Sequence, residues 1–146
     1  MKIAIGCDHA GVKFKEQIKE YVKSLGYETE DFGAYTTDRV DYPDIAKAVC
    51  DGVLTGGCDK GILICGTGIG MSMAANKIKG IRAALCSDTY SARMTREHND
   101  ANVMAMGARV IGIDLACDIV TAFLTAEYAG GRHAVRVEKM MAFEEL

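Results

Sequence analysis

The chain of 146 residues has the usual length of one domain and can bury a substantial core. Hydrophobic residues make up 49% of it and charged residues 25%, and the net charge of -3 gives no reason to expect nucleic acid or an anionic membrane as a partner. No apolar run approaches the roughly 20 residues of a membrane-spanning helix. The first residues resemble a buried strand rather than a signal peptide, so we expect a cytoplasmic protein.

Short apolar runs alternate with amphipathic stretches along the whole chain. Apolar runs predict strands over 2–7, 27–32, 61–65 and 81–86, and a last short strand region over 103–106 and 109–113. Helical spacing of apolar residues predicts helices over about 10–25, 43–54, 71–78, 88–98, 119–128 and 134–143. This succession of strand–helix units favours a parallel sheet with helices on both faces. We therefore expect a single doubly wound α/β domain of Rossmann-like type over residues 1–146.

Three loops of the expected sheet follow the carboxyl ends of strands, where ligands of open α/β sheets bind. They are GCDHAG (6–11), CGTGIG (65–70) and CSDTYS (86–91). The polar and thiol side chains that they offer are Asp8, His9, Cys65, Thr67 and Asp88. Asp8 and His9 also have a simpler interpretation, in which they cap the helix that follows.

The glycines of the middle loop alternate as GxGxG, which departs from the dinucleotide pattern GxGxxG. No acidic residue follows at the place where a ribose would be bound. Glycines do let a chain approach a ligand closely, and backbone N–H groups at a helix N-terminus attract negative charge. We interpret the loop as a backbone cradle for an anion, with a plain strand-to-helix turn as the alternative.

Cys65 ends a predicted strand immediately before this cradle. A thiol beside a helix N-terminus is pushed towards the thiolate, which acts as a nucleophile or as a general base. The pair His98 and Asn99 leaves a cysteine hydrolase open, and a buried cysteine without chemistry is the simpler alternative. The six cysteines and three histidines show no CxxC pair and no metal-ligand spacing, so we expect free thiols and no metal site.

Three arginines indicate a phosphorylated ligand. Arg109 interrupts an otherwise apolar predicted strand, and a nearly buried guanidinium needs an anionic partner. Arg132 and Arg136 are four residues apart, so they share a helix face and can bind one phosphate if the last helix begins early. The alternative for this pair is a solvated surface position. The residues interpreted as core methionines are Met71, Met73, Met104 and Met106.

A base, an anion cradle, an acid and arginines together suit proton transfer next to the carbonyl of a sugar phosphate. The base removes the proton beside the carbonyl, and fixed backbone donors stabilise the resulting enediolate. Return of the proton to the neighbouring carbon converts an aldose into a ketose. A further acid–base group is needed where the sugar ring must first open.

Four motifs resemble ribose-5-phosphate isomerase type B, a family that also includes galactose-6-phosphate and allose-6-phosphate isomerases. They are GCDHAG, CGTGIGMSMAANK, REHNDANVMAMGAR and GGRHAVRV, and they occur in order over nearly the whole chain. The resemblance implies a Rossmann-like αβα sandwich with a central parallel sheet and a C-terminal tail helix. It also implies an enzyme without metal or other cofactor that forms a homodimer or homotetramer.

The same resemblance implies roles for the motif residues. It makes Cys65 the general base, and it assigns Gly66, Gly68, Ile69 and Gly70 to the anion hole for the enediolate. Thr67 and His98 would help to open the furanose ring, His98 as the proton donor, with Asp8 nearby. The implied sugar and phosphate contacts are Asn99 for a hydroxyl, Tyr42 as a pocket wall, and His9, Arg109, Arg132 and Arg136 for the phosphate.

We therefore expect an isomerase that interconverts ribose 5-phosphate and ribulose 5-phosphate. Isomerases of six-carbon sugar phosphates, a cysteine hydrolase, and a non-catalytic phosphosugar- or nucleotide-binding module stay open as alternatives. The tail over about 132–145 carries two of the arginines and the apolar residues Val135, Val137, Met140, Met141 and Phe143. Packing of this tail on a two-fold partner would cover the apolar residues and make a site shared between subunits.

Overall fold

Five parallel strands form one sheet at the centre of the computed structural model, which describes residues 1–146. The strands are β1 (Lys2–Cys7), β2 (Glu28–Asp31), β3 (Lys60–Cys65), β4 (Ala83–Leu85) and β5 (Val103–Gly107). They lie side by side in the order β2-β1-β3-β5-β4. The chain moves from β1 to one side for β2 and to the other side for β3, so a switch point lies between β1 and β3. The predicted parallel sheet is confirmed.

Helices cover both faces of the sheet, as the sequence predicts. They are α1 (Val12–Ser24), α2 (Tyr42–Leu54), α3 (Ile69–Ala75), α4 (Thr89–Glu97), α5 (Ile113–Thr125) and α6 (Arg132–Met141), followed by a 3-10 turn (Ala142–Glu145). Successive strand residues point to opposite faces, so Ile3 and Ile5 pack with α1, α4 and α5, whereas Ala4 packs with α2 and α3. None of these helices is both long and apolar enough to cross a membrane.

Four sequence expectations around β5, α5 and α3 are wrong. β5 ends at Gly107, and the segment after it is a turn in which Val110 and Ile111 both donate N–H groups to the Gly107 carbonyl, at 3.0 and 3.2 Å. Arg109 is therefore exposed rather than buried in a strand. α5 begins at Ile113, six residues earlier than the predicted 119 (119 − 113 = 6), because the turn leads directly into it. Met73 is 62% exposed and is not part of the core.

The tail helix α6 begins at Arg132, two residues earlier than predicted (134 − 132 = 2), so Arg132 and Arg136 do share one helix face. None of its residues is buried, although it is strongly amphipathic. Val135 is 52% exposed and Phe143, in the following turn, is 68% exposed. The apolar face of the tail is thus open to solvent in the single chain.

The side chain of Asn76, from the segment before the edge strand β4, hydrogen-bonds to the exposed backbone edge of that strand. The Asn76 side-chain amide donates to the Ala83 carbonyl and accepts from the Ala83 N–H, both at 2.8 Å. Exposed edge strands offer unpaired backbone groups to other chains. The Asn76 amide satisfies both outward-facing backbone groups of Ala83.

A buried ion pair fastens α1 to the end of β2. Lys15 is fully buried, and its Nζ donates to Asp31 Oδ1 at 2.8 Å and to the Ala34 carbonyl at 2.5 Å. Lys19 Nζ donates to Asp31 Oδ2 at 2.8 Å. Burial alone would raise the pKa of Asp31, but hydrogen bonds from Lys15, Lys19 and the Gly33 N–H outweigh it and hold that pKa below its usual value.

Candidate active site

The loop after β3 carries the thiol that the sequence singles out. Cys65 is the last residue of β3 and only 5% exposed, and its Sγ accepts the Gly68 N–H at 3.1 Å. Gly68 is the N-cap of α3 and has φ +80°, a conformation that glycine adopts without strain. A Cβ at Gly68 would lie 2.8 Å from the Met106 carbonyl carbon, so no side chain fits there. The loop therefore closes over the sulfur through a backbone amide.

Two side chains from neighbouring elements border this loop. A Cβ at Gly70 would lie 2.7 Å from the Tyr42 ring, so the ring packs directly on the start of α3. The Arg109 N–H donates to the Gly66 carbonyl at 3.0 Å, and the Arg109 side chain lies over Gly66. Arg109, which the sequence pattern predicts in a strand, thus reaches the cradle from an exposed turn.

The residues after β1 lie at the same edge of the sheet. The Asp8 N–H donates to the Ile64 carbonyl at 3.1 Å, which continues the pairing of β1 with β3. Asp8 Oδ1 accepts the Ala10 N–H at 2.9 Å, and His9 Nδ1 accepts the Val40 N–H at 3.4 Å. Neither side chain caps α1, whose N-cap Gly11 receives no side-chain hydrogen bond. The capping interpretation of Asp8 and His9 is therefore wrong, and His9 Nε2 has no protein partner.

The Thr67 side chain completes the exposed surface of the cradle. Its Oγ1 accepts the Ile69 N–H at 3.2 Å, and both residues are exposed. The third predicted loop contributes differently, because the Asp88 carboxylate accepts the Ser91 N–H at 2.6 Å and caps α4. The candidate site residues gathered at the carboxyl edge are Asp8, His9, Tyr42, Cys65, Gly66, Thr67, Gly68, Ile69, Gly70 and Arg109.

His98, Asn99, Arg132 and Arg136 lie at the opposite, amino edge of the sheet. His98 caps the carboxyl end of α4, which runs back from the carboxyl edge after β4. The neighbouring Asn102 carbonyl accepts the N–H of Gly61, near the start of β3, at 2.9 Å. Each strand residue advances about 3.3 Å, so β3 separates that edge from Cys65 by roughly 16 Å. One chain therefore does not bring His98 to Cys65.

Two arginines fix the turn that follows His98. The Arg82 guanidinium donates to the carbonyls of Asn99 and Asp100, and Arg96 Nη1 donates to Asp100 Oδ1 at 2.9 Å. Asp100 has φ +48°, which aspartate tolerates better than most side chains. Sequence reasoning missed this clamp; the only local signal was the spacing of Arg96 and Asp100, four residues apart on a helix end.

The His98 imidazole is stacked on the imidazole of His133, which follows Arg132 in α6. The ring centroids are 4.1 Å apart and the rings are inclined by 10°. Burial lowers the pKa of His133, and the charges of His98, Arg132 and Arg136 lower it further. Sequence reasoning also missed His133, although its place between two candidate phosphate ligands in GGRHAVRV was a usable signal.

A groove opens beside this second set of residues. It has a volume of about 720 Å³ and is lined by Asn99, Arg82, Met140 and Phe143 among others. Cys65 does not line it. No group of three or more His, Cys, Asp or Glu side chains is arranged to hold a metal ion. The chemistry available at the carboxyl edge is that of a thiol, backbone amides, a carboxylate, an imidazole and a guanidinium.

Known proteins resemble this chain in sequence and in fold. The profile of the family described as Ribose/Galactose Isomerase matches residues 3–140. Ribose-5-phosphate isomerase B of Escherichia coli (strain K12) is 51% identical over 144 residues, covering 99% of this chain and 97% of that protein. D-erythrulose-4-phosphate isomerase of Pectobacterium atrosepticum is 46% identical over 145 residues, covering 99% of this chain and 95% of that protein.

A solved structure has the same fold over the full length. Ribose-5-phosphate isomerase B of Clostridium thermocellum matches with a TM-score of 0.97 at 55% identity, covering 99% of this chain and 98% of that one. Profile, sequence and structure therefore agree over the region that holds every candidate site residue. The chain belongs to the ribose/galactose isomerase family.

Proposed function

We propose that this protein interconverts ribose 5-phosphate and ribulose 5-phosphate through an enediolate. The observation that carries the proposal is the Cys65 sulfur held 3.1 Å from the Gly68 amide at the mouth of a glycine loop. This pairing of a base with backbone donors suits a reaction in which negative charge develops on a substrate oxygen. An ionised sugar phosphate does not cross a bilayer unaided, which favours the cytoplasm as the working compartment.

Cys65 is the general base of the proposed reaction. As a thiolate it removes the proton from the second carbon of the open-chain aldose and returns it to the first carbon. The oxygen of the enediolate faces the amides of the glycine loop, whose positions are set by Gly68 and by the first turn of α3. The low exposure of Cys65, 5%, keeps competing water away from the sulfur.

Ring opening needs a second group, because ribose 5-phosphate is mostly a closed furanose. His98 donates the proton to the ring oxygen, Thr67 assists the opening, and Asp8 lies nearby. Asn99 contacts a sugar hydroxyl. The phosphate is bound by His9, Arg109, Arg132 and Arg136, and Tyr42 forms a wall of the pocket. Guanidinium groups suit this task because they bind phosphate with two parallel hydrogen bonds.

A site shared between two subunits reconciles these roles with the two edges of the sheet. A two-fold partner would bring its own His98, Arg132 and Arg136 to the Cys65 loop, and each of the two sites would be completed in the same way. Two exposed apolar surfaces support such a dimer: Val135 and Phe143 on the tail, and Ile69 and Met73 beside the cradle. A homotetramer would contain two such dimers.

The deciding experiment is incubation with ribose 5-phosphate in deuterated water, followed by NMR. An isomerase acting through an enediolate forms ribulose 5-phosphate and exchanges the transferred hydrogen with solvent. A binding module would bind the sugar phosphate without either change. A cysteine hydrolase would instead release a burst of product from an activated ester. Absence of turnover with every aldose phosphate tested would overturn the proposal.

A second candidate substrate class is the six-carbon sugar phosphates, allose 6-phosphate and galactose 6-phosphate. The 46% identity to a relative named for a four-carbon substrate makes a panel of chain lengths informative. We expect the highest kcat/KM with the pentose phosphate. A higher kcat/KM with a four- or six-carbon sugar phosphate would leave the proposed mechanism intact and identify that sugar phosphate as the preferred substrate.

A further inference from the structure

Backbone hydrogen bonds hold the segments that carry the stacked side chains of His98 and His133. The Ala129 N–H donates to the Glu97 carbonyl at 3.0 Å, which ties the segment before α6 to the end of α4. The His133 N–H donates to the Gly130 carbonyl at 3.0 Å and fixes the start of α6. Both imidazoles are half-buried, with ring centroids 4.1 Å apart. The backbone thus brings the two rings together from two different helices.

We propose that His133 is a positioning residue whose ring holds the His98 ring in the plane needed for ring opening. The proposal rests on the proposed function, in which His98 is the ring-opening acid. His98 makes no side-chain hydrogen bond within the chain, so the near-parallel contact with His133, inclined by 10°, is what orients its ring. The torsion that turns an imidazole about its Cβ–Cγ bond is otherwise broad.

Stacking is suited to this task because it uses the face of the His98 ring. A hydrogen bond would occupy one of the two ring nitrogens, whereas a stacked neighbour leaves both edges available to the substrate. An acid that must protonate one oxygen gains from such orientation, since a misplacement of about 1 Å can cost 10²-fold in rate. His133 therefore acts through His98 and need not touch the sugar.

The charges around the pair favour a neutral His133. Burial lowers the pKa of His133, and the charges of His98 and of Arg132 and Arg136, which lie on α6, lower it further. The acidic groups near His98 are paired elsewhere: Glu97 lies 3.9 Å from Arg93 Nη1, and Asp100 is bound by Arg82 and Arg96. A neutral His133 places no second positive charge on the face of the His98 ring.

The test compares His133→Ala, which removes the ring, with His133→Phe, which keeps a flat ring and removes the nitrogens. Two reactions are measured for each. Turnover of ribose 5-phosphate requires ring opening, whereas exchange of the abstractable hydrogen of ribulose 5-phosphate with deuterated water does not. Lys139→Ala, an exposed position on the same helix, is the control. The molecular mass in solution is checked for all variants.

We expect His133→Ala to lower kcat for ribose 5-phosphate by about 10-fold or more and to leave the exchange reaction within about 2-fold. His133→Phe should keep both within about 3-fold. Normal ribose 5-phosphate turnover in His133→Ala would overturn the proposal. Equal losses in His133→Ala and His133→Phe would also overturn it, because the ring nitrogens would then contact the substrate directly.

A second readout separates this proposal from the proposed function. The carbon-bound protons of His98 should carry an upfield ring-current shift in the wild-type NMR spectrum, which persists in His133→Phe and disappears in His133→Ala. If the wild type shows the shift but turns over no sugar phosphate, the proposed function fails and the orientation of His98 by His133 stands. If the shift is absent from the wild type, the positioning role fails whatever the activity.

Discussion

Cys65 and His98 lie at opposite edges of one parallel sheet, separated by the roughly 16 Å length of β3. In the proposed shared site, the base and the ring-opening acid of a single chain would therefore serve different sites. Each subunit would contribute a Cys65 loop to one site and a His98 turn to the other. Because Cys65 and His98 lie at opposite edges, a shared site can be tested by mutation, without a structure of the dimer.

Complementation between inactive variants tests the shared site. Cys65→Ala and the double variant Arg132→Ala/Arg136→Ala should each be inactive alone. After unfolding and refolding of an equal mixture, about half of the dimers are mixed and each has one intact site, so about a quarter of wild-type sites should be recovered. The same two variants, mixed without unfolding and refolding, are the control. A stable mixed dimer without recovered activity would show that base and arginines act from one chain.

Substitution of Cys65 tests the general base. Cys65→Ser and Cys65→Ala should fold normally and lose isomerisation on the order of 10³-fold, because a serine hydroxyl is a very weak base at neutral pH. Burial raises the pKa of the thiols of Cys7 and Cys86 to about 11 and that of Cys50 to about 12. Bound sugar phosphate should slow alkylation of Cys65 more than that of these thiols, as measured by peptide mass spectrometry. Substantial turnover by Cys65→Ala would show that Cys65 is not the general base.

The titration of His133 tests its coupling to His98. The folded pKa of His133 lies below 6.5, so as pH falls below that value the unfolded chain binds more protons and the fold loses stability. Because the charge of His98 is one cause of the lowering, His98→Asn should raise the pKa of His133 in an NMR titration. His9→Asn, at the other edge of the sheet, should leave it unchanged. An unaltered His133 titration in His98→Asn would contradict the coupling.

Removal of the Asp31 carboxylate tests the buried ion pair. Asp31→Asn leaves the fully buried Lys15 ammonium without its counter-charge, so we expect a loss of about 3 kcal/mol in the free energy of unfolding at pH 7. Glu20→Gln, which breaks an exposed pair with Lys23, should change it by less than about 0.5 kcal/mol.

The difference in the free energy of unfolding between wild type and Asp31→Asn should become smaller as the pH falls. The folded pKa of Asp31 lies below its ordinary value of 3.8, so its stabilising contribution is present above that pH and is lost as the pH falls through the folded pKa. Urea unfolding at several pH values should therefore show wild type and Asp31→Asn converging in acid. A difference that stays constant from pH 7 to pH 3 would contradict the role of the ionised carboxylate.

Two glycines of the cradle form a matched pair for mutation. Gly68→Ala forces a side chain into φ +80° and against the Met106 backbone at 2.8 Å, so we expect a loss of about 3 kcal/mol in stability. Gly66→Ala meets nothing closer than the Arg109 side chain at 3.6 Å and should cost less than about 1 kcal/mol. Chemical unfolding measures both. Equal losses would show that the loop does not depend on the left-handed conformation of Gly68.

The sheet and the cradle were predictable because local patterns determine them. Continuous apolar runs such as that of β3 signal strands buried on both faces, and the glycines after Cys65 signal a close backbone turn. The exposed position of Arg109 was not predictable. Its segment is as apolar as a strand, and the turn depends on Gly107, where a Cβ would lie 2.7 Å from the Thr67 backbone. That contact joins residues distant in sequence.

The division of the site residues between two edges is also a tertiary property. The motif containing His98 is as recognisable as that containing Cys65, but a motif does not reveal at which end of the sheet it lies. The direction of α4 decides this, because a helix that returns to start the next parallel strand ends at the amino edge. The contact between His98 and His133 depends in turn on where α6 begins, which the sequence predicts two residues late (134 − 132 = 2).

The amide of Asn76 has a consequence for how copies of this protein can associate. It occupies the outward N–H and C=O of Ala83, so a strand from another molecule finds no backbone partner at the first residue of that edge strand. Growth of a continuous intermolecular sheet across β4, the route to templated aggregation, is blocked at that residue. Contacts between subunits on this side would then rest on helix and loop side chains rather than on strand pairing at Ala83.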